Sequence, residues 1–288
     1  MRGLLAGLAA VVAAAFAAPA WAEPPVWVVK DADSEIVLFG SIHVLPPNFR
    51  WRPKAVDAAL ARADDVWFEL PMDPSTQQQV AALAGQLGVL PPGKSLFALL
   101  PPADARLMTK VADAYGIDKA TLDRLEPWLA EVALAGAAYR KAGADTDNGV
   151  EQTLSAAAPA TAARHAFETP DDQMRLFDEA PLPEQIASLR ETLGELDSDP
   201  EAFMKLVHAW AAGDVAGLDR GALEPLRKSA PGMFQRLVTE RNEAWVKTLD
   251  ARLKGHGRTV VIVGVGHLIG QGGVPARLRA LGYSVTGP

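Results

Sequence analysis

Strand-forming text stands at both ends of this 288-residue chain, with mostly helix-forming text between. Near the N-terminus, residues 26–30 and 35–40 are β-rich runs split by a polar stretch, the pattern of a hairpin. Near the C-terminus, residues 259–263 form an unbroken β-branched run and residues 283–285 a shorter one. Residues 65–70 and 164–168 read as two further short strands bounded by turn signals. Such runs have to be buried in a shared sheet, so the two ends of the chain belong to one domain. Prolines at 91–92, 101–102, 127, 159, 181, 183 and 200 divide the middle into helices of ordinary length. A longer periodic segment, residues 232–253, is expected as one helix, and residues 274–281 as another. The expected fold is mixed α/β (α+β). A central mixed sheet is flanked by many helices, with a helical cap or subdomain at roughly 76–226 inside a single unit spanning 23–288.

Residues 1–22 carry the anatomy of a secretory signal peptide: Arg2, an uncharged Ala-rich run over 4–18, Pro19, and a small-x-small site at Ala20-Trp21-Ala22. The apolar run falls short of the roughly 20 residues a spanning helix needs. Export to the periplasm or outside the cell follows, with no membrane span after cleavage. The net charge is −7, and no basic face marks a nucleic-acid binder. The chain has no cysteine, which excludes a thiol nucleophile, a thiolate metal site and a lipidated cysteine. Any metal would be held by histidine and carboxylate.

Two places share a local pattern. Gly40-Ser41-Ile42-His43 closes one strand and Gly264-Val265-Gly266-His267 closes another. Glycines Gly40, Gly264, Gly266 and Gly270 let the backbone turn sharply or approach a neighbour closely. Each histidine falls just past the C-terminal end of a strand, where α/β sheets bind ligands. Neutral imidazole is the commonest protein metal ligand. A third strand end supplies Glu69. Two histidines and a carboxylate leave coordination positions open for water and substrate, as a catalytic metal requires. His165, His208 and His256 do not repeat the pattern and read as structural or exposed. No Gly-x-Ser-x-Gly elbow and no His-Glu-x-x-His is present, and the glycines at 264–270 miss the dinucleotide spacing by one residue.

Several separated motifs occur together in order: Gly-Ser-Ile-His-Val-Leu-Pro at 40–46, Phe-Glu at 68–69, Phe-Glu-Thr-Pro-Asp-Asp-Gln at 167–173, Glu-Arg-Asn-Glu-Ala-Trp at 240–245, and the glycine-rich segment at 263–274. With them the chain resembles the TraB/GumN family. That family is related to the Tiki metalloproteases, which are membrane-attached and cleave Wnt near its N-terminus, and more distantly to the erythromycin-esterase/ChaN-like group. The resemblance implies a metal site built from His43, His267 and Glu69, with manganese or cobalt favoured and zinc or iron as alternatives. Glu69 would be a third ligand or the general base. Arg241 would orient Glu69 or clamp a substrate carboxylate; its plainer role is an interior ion pair. Ser41, Asn242, Glu168, Gln173 and Glu151 are the residues expected to support the site or touch substrate. Thr169 ahead of Pro170, with Asp171 and Asp172 following, also reads simply as a helix entry. Where the family often carries Gly-Val/Ile-Asp, this chain has Gly149-Val150-Glu151, so any role for that acid depends on a side chain one methylene longer.

Three functions fit the sequence. One is a metal-dependent hydrolase acting on a peptide or protein. The second is a non-catalytic exported binder of a peptide, signal or metal compound. The third is an envelope or polysaccharide assembly factor whose histidines are architectural.

Overall fold

Six strands form one sheet in the order β4-β3-β5-β2-β1-β6. They are β1 (Val26–Lys30), β2 (Ser34–Ser41), β3 (Asp65–Phe68), β4 (Ala163–Ala166), β5 (Gly257–Gly264) and β6 (Ser284–Thr286). The coordinates are a computed structural model that describes residues 23–288. The signal peptide expected at 1–22 lies outside them.

β4, β3, β5 and β2 run parallel, while β1 pairs antiparallel with both β2 and β6. β1 and β2 are the hairpin expected from the sequence, with Val26 opposite Phe39 and Lys30 opposite Glu35. β5, from the far end of the chain, inserts between β2 and β3. Val260, Val261, Ile262 and Val263 are buried along it, which is why the run lacks polar alternation. The parallel register sets the C-terminal ends of four strands along one edge. Ser41 lies opposite Gly264, and Phe68 lies between Ile262 and Ala166. His43, Glu69, Glu168 and His267 follow directly from those four strand ends.

The helical middle carries a hydrophobic cluster of its own, centred on Leu96, Met108, Leu134, Leu189 and Leu193. The sheet has a separate core that includes Phe39, Phe68, Trp210 and Trp245. The segment expected as one regular helix over 232–253 is helical but not uniformly α. Pro231–Phe234 leads into a π-helical stretch, Gln235–Glu240, and then into the helix Arg241–Leu253. Wide π turns concentrate at functional sites, and this one delivers Arg241 to the end of the sheet. Among the described residues, no helix is long and apolar enough to cross a membrane.

Candidate functional site

Each Gly-x-x-His motif is held from outside itself. After β2, the backbone of residues 42–43 lies on the N-terminus of the helix Val150–Ala157, where Val150 N–H donates to the Ile42 carbonyl at 3.2 Å. A Cβ at Gly149 would stand 2.2 Å from the His43 carbonyl oxygen, so only glycine permits that approach. The next residue but one, Glu151, is then within reach of the motif. Its Oε1 accepts from His43 Nδ1 at 2.5 Å and from the Ser41 hydroxyl at 2.5 Å. The extra methylene of glutamate does not disengage the acid. Trp210 Nε1 donates to the Gly40 carbonyl at 2.8 Å and pins the end of β2.

After β5, the chain turns through a short 3-10 segment, Val265–His267. His267 is buried, and its Nδ1 meets Asn242 Oδ1 at 2.7 Å. Asn242 Nδ2 donates to the Gly272 carbonyl, so Oδ1 is the acceptor and His267 Nδ1 carries the proton. His267 Nε2 therefore presents its lone pair, and Arg241 Nη1 donates to it at 3.0 Å.

Arg241 gathers the remaining charges. Its Nε and Nη2 form a two-point pair with Glu168 at 2.7 and 2.8 Å, and Nη2 also reaches Glu69 Oε2 at 2.6 Å. Nη1 additionally donates to the Leu237 carbonyl at 3.2 Å. All five guanidinium N–H groups are thus engaged within the protein. In this arrangement Arg241 orients Glu69 and Glu168 and extends no free donor into the cleft. Glu69 is further fixed by Gly264 N–H on Oε1 at 2.7 Å and by Gln173 Nε2 on Oε2 at 3.2 Å. Glu168 also accepts from Trp245 Nε1 at 3.0 Å. The helix entry at Thr169 exists as well, as a capping box with Asp172; the segment does both jobs.

These contacts set the charges. Burial would push Glu69 up, but the Arg241 guanidinium and the nearby imidazoles outweigh it and hold the carboxyl down at about 2. Burial pushes His267 down; Glu69 opposes this and Arg241 adds to it, leaving a value of about 3. The Glu151 carboxylate raises His43 to about 9. Because the His43 ring keeps 63% of its surface exposed, the pull of Glu151, not burial, decides that direction.

A cleft of about 350 Å³ opens over this edge, bounded by His43, Glu69, Glu151, Gln152, Gln173, Met72 and Val80. A family model described as the TraB/PrgY/gumN family matches residues 25–287. The chain belongs to that family. Searches of curated proteins and of solved structures return no match.

In this TraB/PrgY/gumN chain, all the expected side chains converge. Gly264 marks the centre of the cradle. A Cβ there would lie 3.1 Å from Glu69 Oε1, 3.6 Å from His43 Nε2 and 3.7 Å from His267 Cδ2. The donor chemistry suits a divalent cation, since each imidazole has its Nδ1 tied to an oxygen acceptor and its Nε2 turned inward. One feature works against immediate loading: Arg241 covers the lone pair of His267 Nε2. Among the described residues, no three His, Asp or Glu side chains already stand as a ready metal cage. Of the other glycines, Gly40 packs against Val265, Gly266 against Leu223, and Gly270 has φ 73°, a conformation that L side chains rarely adopt.

Trp245 is the residue whose role the sequence reading missed. Its ring lies 4.4 Å from that of His267 and 4.7 Å from the Arg241 guanidinium. The available signal was its position four residues after Arg241, on the same face of one helix. His165 stacks on Trp67, and His208 packs near Phe49, away from the cradle.

Proposed function

We propose that this protein is an exported hydrolase that cleaves an amide bond in a peptide or protein. The observation that carries the reading is the meeting of His43 Nε2, Glu69 Oε1 and the His267 ring around Gly264, beneath an open cleft. A divalent cation would be held by His43, Glu69 and His267, manganese or cobalt first and zinc or iron as alternatives. When bound it would lower the pKa of its water from 15.7 towards about 7 and polarise the scissile carbonyl.

The protein's own residues supply orientation. Glu151 fixes the His43 ring so that Nε2 faces the cleft. Asn242 does the same for His267. Gly264 N–H and Gln173 hold Glu69 with one oxygen towards the cradle, where it would serve as the third ligand. The walls suit a neutral, partly apolar chain: Leu70, Met72 and Val80 give apolar surface, and Gln77, Gln152 and Thr146 offer hydrogen bonds to peptide groups.

A second reading, an exported binder without turnover, is favoured by the Arg241 cover on His267 Nε2, which keeps that imidazole lone pair from a cation. Incubating the purified protein with a peptide library and Mn²⁺, with products read by mass spectrometry, separates the two. The hydrolase gives products in excess of enzyme, and His43→Ala and His267→Ala each lower turnover by at least about a hundredfold. Should both variants keep full metal affinity and full turnover, the hydrolase reading is wrong. Saturable peptide binding with no product supports the binder.

A further inference from the structure

A neutral imidazole has one acceptor lone pair. In His267 it belongs to Nε2, because Nδ1 donates to Asn242. Arg241 Nη1 already sits on that lone pair at 3.0 Å. The same guanidinium reaches the second expected donor, Glu69, at 2.6 Å. A cation bonding to Nε2 would lie about 2.1 Å out along the same direction. There it would touch Nη1, and both carry positive charge. Arginine does not lose its proton in proteins, so the conflict cannot be relieved by neutralising the side chain.

The surroundings already anchor the guanidinium without His267. Glu168 holds Nε and Nη2 as a two-point pair independent of the His267 contact. The Trp245 ring lies beneath, 4.7 Å from the guanidinium, and supports it there. Only the Nη1 contact with His267 has to be given up, since Nη2 holds Glu69 Oε2 and the oxygen facing the cradle is Oε1.

Building on the metal reading above, we propose that Arg241 is the internal occupant of the protein's own cation seat. It bridges His267 and Glu69 in the metal-free protein, withdraws from His267 when a divalent ion binds, and so sets how strongly and how selectively the seat takes metal. The seat is filled by exchange of one cation for another. Arg241 keeps His267 and Glu69 oriented and paired until the ion arrives.

The test is titration calorimetry of the purified protein with MnCl₂ and with ZnCl₂. Wild type is compared with Arg241→Gln, with the double variant Arg241→Gln/Glu168→Gln, and with His267→Ala. The double variant removes both members of the Arg241–Glu168 pair, so Glu168 is not stranded if the single variant fails to fold, and Glu69 keeps Gly264 N–H and Gln173 as donors. Both arginine variants are expected to bind metal at least about tenfold more tightly than wild type, because a positive charge beside the seat has been removed. His267→Ala is expected to bind more weakly. In wild type, the Arg241 Nε–H resonance in ¹H–¹⁵N spectra is expected to shift on Zn²⁺ addition and to stay still in His267→Ala. If the arginine variants bind no more tightly while His267→Ala binds more weakly, the seat is real and Arg241 is not its competitor. If wild type and every variant bind no metal, both the metal reading and this inference fall. An Arg241 resonance unmoved by saturating Zn²⁺ in wild type also overturns the inference.

Discussion

The two Gly-x-x-His motifs look alike in sequence and end in opposite states. His43 stands at the mouth of the cleft, with more than half its ring exposed and a carboxylate on Nδ1 that raises it to about 9. His267 is buried against Trp245, with a neutral amide on Nδ1 and a guanidinium on Nε2, and lies at about 3. The motif supplies a backbone position at the end of a parallel strand. Partners from elsewhere supply the charge: Glu151 from one helix, Asn242 and Arg241 from another. A cation entering between the two rings would meet one imidazole that must first release a proton and one that is already deprotonated but covered. Metal ligands are best understood from the groups behind them.

The sharpest way to break this contrast is at Asn242, which is fully buried and bonded at both ends. Asn242→Ala strands the His267 Nδ1–H, while the Gly272 carbonyl keeps Arg277 Nε as a donor, and is expected to cost about 2 kcal/mol in denaturant unfolding. The matching substitution behind the other histidine, Glu151→Gln, should cost well under that, since one of its partners is exposed to water. Comparable losses would mean that the two motifs are not the buried and open halves described. Next in size is Gly264→Ala. Its methyl would enter the cradle 3.1 Å from Glu69 Oε1, and the carboxylate would have to shift. The expected loss is about 1 kcal/mol of stability together with at least a tenfold loss of Mn²⁺ affinity by calorimetry. Unchanged affinity would show that the space in front of Gly264 is not where a cation sits.

Much of this layout is legible in the sequence, for physical reasons. The β-branched run at 259–263 and the apolar runs at 36–39 and 65–68 can be buried only in a sheet shared by both ends of the chain. Gly-x-x-His and Phe-Glu then fall at strand ends by simple counting. The second layer of contacts is less legible. Nothing local in Glu168 distinguishes a carboxylate bound for Arg241 from one at a helix entry, and here it sits beside a true capping box. Whether Glu151 reaches His43 depends on how closely residue 149 approaches the His43 carbonyl, a distance set by packing. The π turn over Gln235–Glu240 leaves the apolar periodicity of its helix intact, so periodicity alone misses it. Trp245 was visible in its motif, but a tryptophan on an apolar face reads as core until its neighbours are known.

The charge states can be sharpened directly. Glu151→Gln removes the carboxylate that raises His43, so its pKa should fall from about 9 back towards the unperturbed 6.5, as read by NMR titration in EDTA. His267, which has no contact with Glu151, should not move. A His43 value that stays near 9 in this variant would assign the shift to Glu69 instead, the second acid acting on the ring.

The smallest effect is the pH dependence of stability, and its sign follows from the same contrast. A histidine whose folded pKa lies above its unfolded value binds its proton more tightly in the native state. The His43–Glu151 pair therefore contributes fully below about 6.5, and its contribution fades as pH rises from there through about 9. His267 has the opposite sign: its folded pKa lies below the unfolded value, so folding is disfavoured once pH drops below about 6.5, increasingly so towards about 3. Thermal melts in EDTA, comparing wild type with His43→Asn, should show the wild-type advantage shrinking between pH 6.5 and 9. Because the His43 ring is largely exposed, added salt should reduce that advantage. An advantage that grew with pH across this window would mean that the ring is held neutral in the native state and that Glu151 is not its charged partner.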